Sequence, residues 1–300
     1  MIGKDELAQR IAAATGHPFR VVSMQEVSGG SIHRSLCIEN SRNGIPQKVF
    51  AKVGDAATHA MYEAEADGLK RLREAGTALR IPEVLACEAL DDGALLLMEW
   101  IDMEPLAAHS AAQLGHGLAS LHRCTAQKFG LARGNFIGAT PQENREDGDW
   151  VSFWQHRRLH YQLQLAARNR YPARMIDRGE RLAADCAAFF ATYRPAPALL
   201  HGDLWGGNAA ADVNGVPVIF DPAVYFGDRE ADLAMTELFG GFPQDFYAAY
   251  RNDWPLDSGY PVRKQLYNLY HILNHANLFS GGYVQQSERM IESLLSELQA

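Results

Sequence analysis

Cysteine is scarce. The four present in 300 residues (Cys37, Cys87, Cys124 and Cys186) form no CxxC pair. That spacing excludes a disulfide-framed module and a sequence-local zinc site. The thiols read as reduced, small hydrophobes of a cytoplasmic protein. No apolar run approaches the roughly 20 residues that span a bilayer. The opening residues MIGKDELAQRI set Asp5 and Glu6 where a secretory signal would be apolar, so no such signal is expected. Excess positive charge is lacking as well. Against 28 Lys and Arg stand 36 Asp and Glu, a formal net charge of -8. This argues against nonspecific nucleic-acid or anionic-membrane partners, though a local basic pocket for phosphate remains open. Internal repeats and low-complexity tracts are also absent.

What is present is an apolar content of 47%, enough for one large core or two modest ones. Residues 19–27, 33–40 and 49–53 are rich in Val, Ile and Leu and read as strands, interrupted by Gly29-Gly30 and Asn43-Gly44. A helical pattern follows over 56–75. Strands are then expected over 84–89 and 94–101, joined at Asp92-Gly93. Beyond Asp102 the pattern is helical, near 107–122, 150–169, 175–193, 230–239, 243–251, 262–280 and 286–298. One short hairpin interrupts it, near 208–221. The expectation is an α+β chain of two lobes: residues 1–101, an antiparallel sheet with one main helix, and residues 102–300, mostly helical.

The densest chemistry lies in Leu199-Leu200-His201-Gly202-Asp203-Leu204-Trp205-Gly206-Gly207-Asn208, followed by two short β segments around Asn214-Gly215 and then Asp221. A two-residue Asn-Gly turn would place Asn208 directly opposite Asp221. Opposed Cβ atoms lie roughly 4.5–5.5 Å apart, so an amide oxygen and a carboxylate could share one hard cation such as Mg²⁺. Pro217 weakens the idea of a regular ladder there. Asp203, on the loop before the hairpin, could accept the proton of a hydroxyl attacking a γ-phosphate. The bland alternative is a set of turn residues. The ordered set of Asp203, Asn208 and Asp221 after an apolar run outweighs it. His201 is expected to brace this loop.

The first hundred residues offer a complementary half. Lys52 lies in Val49-Phe50-Ala51-Lys52-Val53, and a lysine among apolar strand residues needs a partner or a phosphate. On the helix 56–75, Glu65 shares a stripe with Met61 and Leu69, whereas Glu63 falls on the polar face. An ion pair between Lys52 and Glu65 is expected. Gly29, Gly30 and Ser31, between two strands, could cover nucleotide phosphates with backbone N–H groups or be a plain hairpin turn. Met98-Glu99-Trp100-Ile101 could read adenine through its backbone or be a core strand that ends at the lobe boundary.

Together these residues resemble the aminoglycoside-phosphotransferase-like branch of the protein-kinase-like fold, and within it the fructosamine/ketosamine kinase family. The stretches that carry the likeness are HGDLWGGN (201–208), DPAVYFGDREADLAMTELFGGF (221–242), DWVSFWQHRRL (149–159) and NHANLFSGGY (274–283). The likeness spans essentially the whole chain. It implies ATP- and Mg²⁺-dependent phosphorylation of a ketosamine, or of a glycated lysine side chain, at the sugar C3 hydroxyl. The labile product would release the amine. It further implies Asp203 as base, Asn208 and Asp221 as metal ligands, and Lys52 and Glu65 as the nucleotide-orienting pair. Glu99 and Ile101 would contact adenine. Trp205, Tyr225, Phe226, Asp228 and Arg229 would lie near the sugar, although Arg229, Glu230 and Asp232 could instead begin a helix. Asp232 is expected to brace the catalytic loop. Some relatives carry a Cys in the phosphate-covering loop. Here Ser31 stands there, so no loop disulfide is carried over.

Two other readings compete. One is a kinase of another small hydroxylated amine, of aminoglycoside or choline type. The other is a nucleotide-binding regulatory pseudokinase, which intact Lys52, Asp203, Asn208 and Asp221 argue against. The stretch 221–232 carries both signs of charge, which gives little support to a polycationic aminoglycoside. His271 and His275, one helical turn apart, read as packed or solvated residues, since no third metal ligand accompanies them.

Overall fold

The structure, a computed structural model, describes residues 2–27, 34–42 and 45–299. Gly29, Gly30 and Ser31 lie outside the described residues. The first lobe is built on a five-stranded antiparallel sheet of β1 (Ser23–Glu26), β2 (Arg34–Arg42), β3 (Ile45–Gly54), β4 (Val84–Leu90) and β5 (Gly93–Glu99), in spatial order β1-β2-β3-β5-β4. Helix α1 (Lys4–Thr15) covers one face and α2 (His59–Glu74) the other. Strand β5 is therefore covered on both faces, which explains its unbroken run Ala94-Leu95-Leu96-Leu97-Met98. Leu95 and Leu97 join Leu7 and Ile11 of α1, whereas Leu96 and Met98 join Tyr62, Leu69 and Leu72 of α2. Each buried leucine contributes about 1.5–3 kcal/mol of transfer free energy. Strand alternation in β3 likewise sends Val49 and Ala51 toward α1 and leaves Phe50 and Lys52 facing the second lobe.

The second lobe is mostly helical: α3 (Ala108–Leu121), α4 (Trp150–Trp154), α5 (His160–Arg168), α6 (Ala173–Asp185), α7 (Arg229–Leu238), α8 (Gln244–Asp253), α9 (Tyr260–Phe279) and α10 (Gly282–Glu297). A π-helical turn, Gln155–Leu159, joins α4 to α5. Strand structure is richer here than the single expected hairpin. Strand β6 (Met103–Glu104) pairs with β10 (Ala209–Asp212), which pairs with β11 (Pro217–Ile219). Strands β7 (Asn135–Ile137) and β8 (Thr140–Gln142) form a further hairpin, and β9 (Ala198–Leu200) pairs with β12 (Tyr225–Gly227). These strands are two to four residues long, too short to leave a periodic signal.

The expected hairpin register is corrected by one residue. Ala209 pairs with Ile219 and Ala211 with Pro217, and Asp212 N–H donates to Val216 O at 2.9 Å. Val213 therefore joins Asn214 and Gly215 in a three-residue loop, closed by Gly215 at φ 78°. Asn208 consequently faces Phe220, whose N–H donates to its carbonyl at 3.1 Å, and not Asp221. Asp221 leaves the ladder with a left-handed φ of 59°.

Candidate active site

Between the lobes lies a cleft of about 800 Å³. Lys52 enters it from β3 and Glu65 from α2. Lys52 Nζ donates to both Glu65 oxygens at 2.8 Å and to Asp221 Oδ1 at 2.5 Å. Gly68 makes this convergence possible. A Cβ there would stand 3.2 Å from Pro222 Cγ, so α2 rides closely over the residues that follow Asp221. Burial works against the Lys52 cation, but the two carboxylates outweigh it and hold the ammonium well above its usual pKa. Burial also acts to raise Asp221, and Lys52 overrides it, leaving this carboxylate below its ordinary range.

On the opposite wall, the loop after β9 carries Asp203. Burial first, then the charge of Asp221, push its carboxyl up to about 8, against a lowering hydrogen bond from Asn208. Asn208 Nδ2 donates to Asp203 O at 2.9 Å and to Asp203 Oδ2 at 3.2 Å. Its Oδ1 accepts no hydrogen bond from the described residues. Asn208 thus holds the catalytic-loop aspartate with one atom and presents a hard oxygen with the other. Asn208 and Asp221 both line the cleft even though the ladder does not oppose them, and Asn208 Nδ2 reaches Asp221 O at 3.5 Å.

The loop itself is clamped from below. Asp232 of α7 accepts His201 N–H at 2.7 Å and Gly202 N–H at 2.8 Å, and pairs with His122 Nε2 at 3.2 Å. Asp203 N–H donates to His201 Nδ1 at 3.3 Å, so Nε2 carries the proton that is donated to Phe220 O at 3.0 Å. Burial lowers the His201 pKa. A neutral imidazole with both nitrogens bonded is a brace, not a second base. Gly202 is required where it stands. Its φ is +82°, and a Cβ would come within 2.1 Å of Ala223 O.

Glu99 and Ile101 line the other end of the cleft, with Phe50 and Trp100 beside them. The Glu99 carboxylate is committed elsewhere: it accepts from Arg80 Nη2 at 2.9 Å and from Glu83 N–H at 3.0 Å. The Glu99 N–H is likewise taken, donating to Glu83 O at 2.9 Å.

Of the five residues expected near the sugar, one lines the cleft. Trp205 is 38% exposed there. Asp228 does not reach it. It caps α7 by accepting Glu230 N–H, and it takes the hydroxyls of Tyr193 at 2.9 Å and Tyr267 at 2.5 Å. Arg229 is buried away from the cleft and donates to Tyr250 Oη and to the carbonyls of Trp254 and Pro255. Tyr225 packs its ring on the Arg158 guanidinium, 4.1 Å away, and Phe226 packs into the core beneath the catalytic loop. These polar and aromatic residues are spent on the α7 start and the β9–β12 ladder.

Sequence reasoning missed the wall that takes their place. Trp205, His275, Phe279 and Tyr283 line the cleft there; Phe239, just past α7, backs them, its ring edge-on to Trp205 at 6.1 Å and tilted against His275 at 4.9 Å, and His275 lies 5.7 Å from Phe279 and 5.1 Å from Tyr283. His275 Nδ1 donates to His271 O at 2.8 Å, and burial lowers its pKa, so the ring is neutral. The His271/His275 spacing was visible in the sequence, but nothing local joined it to Trp205. The β7–β8 hairpin adds Asn135 and Phe136 to the same end of the cleft.

The chain matches the family model for fructosamine kinase over residues 4–297. It is 42% identical over 294 residues to a Synechocystis protein named "Probable ketoamine kinase", covering 96% of each chain. It is 37% identical to an Arabidopsis thaliana chloroplastic protein-ribulosamine 3-kinase, covering 95% of this chain and 86% of that one. A solved structure from Haemophilus somnus bearing a fructosamine-3-kinase designation superposes with a TM-score of 0.86 at 27% identity, over 96% of each chain. The gentamicin complex of APH(2")-IIa, at 15% identity and TM-score 0.63 over 100% of this chain and 97% of that one, shares the fold. With the interlobe cleft, these matches place the chain in the fructosamine kinase family, whose members use ATP.

Proposed function

We propose that the protein transfers the γ-phosphate of ATP to the C3 hydroxyl of a ketosamine, releasing the amine of a glycated compound or lysine side chain when the product breaks down. The observation that carries this reading is Asp203, held by Asn208 in the same cleft as the Lys52–Glu65–Asp221 cluster, in a chain 42% identical to a named ketoamine kinase. In its ionised form, which burial and Asp221 disfavour, Asp203 accepts the hydroxyl proton and orients the oxygen for attack. Lys52, fixed by Glu65, meets the nucleotide phosphates. Glu99 and Ile101 offer backbone groups to adenine. On this reading residues 1–101 hold the nucleotide, and residues 102–300 hold the catalytic loop and the acceptor.

Asn208 and Asp221 suit Mg²⁺, an amide oxygen and a carboxylate being hard donors. Among the described residues no cluster of three or more His, Cys, Asp or Glu side chains forms a metal cage. Two protein ligands with phosphate and water completing the shell is the usual Mg²⁺ arrangement at nucleotide sites. When bound, the ion neutralises phosphate charge during transfer.

The acceptor end supports a ketosamine over an aminoglycoside. Its wall of Trp205, His275, Phe279 and Tyr283, backed by Phe239, carries no carboxylate. Glu65 and Asp221 are engaged by Lys52, and Glu99 by Arg80. A face of rings suits one diffuse ammonium with an alkyl substituent better than several ammonium groups. Phe279, 53% exposed, leaves the rim open for that substituent to run into solvent.

An ATP-consumption assay with Mg²⁺ tests this. The panel holds ribulose-, erythrulose- and fructose-lysine adducts, an aminoglycoside and choline. Turnover is expected with the ketosamines. Turnover with only the aminoglycoside or choline would replace the acceptor, and nucleotide binding without any turnover would support the pseudokinase reading.

A further inference from the structure

Asp221 sits on a segment with no ladder of its own. Between β11 and β12, residues 221–224 run irregularly, and the carbonyls of Ala223 and Val224 are carried into the core. Unpaired, each would cost about 1–3 kcal/mol. Side chains of the β7–β8 hairpin satisfy both. Gln142 Nε2 donates to Ala223 O at 3.2 Å, and Asn135 Nδ2 donates to Val224 O at 2.8 Å. Asn135 and Gln142 are direct cross-strand partners.

Both ends of this group fix its bond directions, since the Ala223 and Val224 carbonyls can only accept. Arg158, wholly buried in the π-helical turn, can only donate. Its Nη2 donates to Asn144 Oδ1 at 2.7 Å. Asn144 must then turn its Nδ2 to Asn135 Oδ1, at 2.7 Å, where Gln142 Nε2 also donates at 2.8 Å. Asn135 is left with Nδ2 for Val224 O. Tyr270 Oη closes the group by donating to Gln142 Oε1 at 2.7 Å.

Arg158 has no carboxylate partner among the described residues. Its charge is met by Glu143 O at 2.7 Å and by the rings of Tyr225 and Phe153 at 4.1 and 4.7 Å. A buried guanidinium is costly, and an apolar side chain would fill the same space. Arg158 supplies the donor at one end of an amide chain whose other end, three residues past Asp221, is the Val224 carbonyl. The same hairpin turns Phe136 into the cleft.

We propose that Asn135 and Gln142, oriented by Arg158 through Asn144, are positioning residues that set the Asp221 carboxylate for the metal of the nucleotide. The inference rests on the reading of Asp221 as a metal ligand. Calorimetry of ADP binding with and without Mg²⁺ tests it, because the ratio of the two dissociation constants isolates the metal contribution. Asn135→Ala, and Gln142→Met as the variant that keeps core volume, are expected to cut the Mg²⁺-dependent gain about 10-fold or more. ADP affinity without metal is expected to stay within about threefold of wild type. A purely structural role would lower the melting temperature and leave the gain intact. That result, alongside an Asp221→Ala variant that has lost the gain, would overturn the positioning role alone. A gain retained in Asp221→Ala would overturn the ligand reading beneath it.

Discussion

The catalytic-loop geometry depends on the buried Asp232 clamp, and replacing it with asparagine keeps the side-chain shape while removing the charge and reversing one hydrogen-bond polarity. The Asp232 carboxylate is 1% exposed and accepts two backbone N–H groups of the catalytic loop, one on each oxygen. Asparagine keeps one oxygen and sets an NH₂ against the other N–H. One charge-assisted bond is lost, roughly 1.5–3 kcal/mol, and a buried donor is left facing a donor, about 1–3 kcal/mol. Partial relaxation brings the expected loss to about 2–4 kcal/mol, a large share of a typical 5–15 kcal/mol. Urea unfolding followed by tryptophan fluorescence measures it. Turnover of the folded variant is expected to fall at least tenfold, since His201 and Gly202 no longer hold Asp203 in place. The pH dependence carries its own signature. Burial acts to raise Asp232, but the His122 hydrogen bond and neighbouring donors outweigh it, so the folded pKa lies below the ordinary value. Its stabilisation is therefore fully present above the unfolded value of about 3.9 and is lost as pH falls through the lower folded value. The gap between wild type and Asp232→Asn should close as the solution is acidified below about pH 4. Wild-type stability and turnover in the variant at neutral pH would refute the clamp.

Asp203→Asn is expected to lower turnover by about 10²–10⁴-fold with ADP affinity within a few-fold of wild type, read by a coupled ATP assay and calorimetry; unchanged turnover would refute its role as base. Gly202→Ala must adopt a φ that costs an L-residue roughly 1–2 kcal/mol and must displace Ala223 O, so stability and turnover should fall together in unfolding and activity assays.

The part of the site confined to one stretch of chain was legible before any coordinates. Asp203, Asn208 and Asp221 lie within a single loop and hairpin, where neighbours in sequence are neighbours in space. Lys52 and Glu65 needed only a strand, a helix and their periods, because alternation and the 3.6-residue repeat decide which face each side chain takes. The family motifs carried the fold class. Even locally, the hairpin register slipped by one, since Asn214-Gly215 fits both a two-residue turn and the three-residue loop that forms. The acceptor wall was beyond such reasoning. Phe239 meets Trp205, and His275 joins Phe239 to Phe279 and Tyr283, only through the packing of α7, α9 and α10, which is settled by contacts between distant segments. For the same reason Asp228 and Arg229 looked like pocket residues but are buried by Tyr193, Tyr267 and Tyr250, partners that no spacing announces. The sequence by itself located the candidate residues that share one loop and hairpin, Asp203, Asn208 and Asp221, and the two-lobed fold that carries them. The tertiary structure decided which rings line the far end of the cleft and how the Asp221 segment is held, because both depend on side chains that only the folded core brings together.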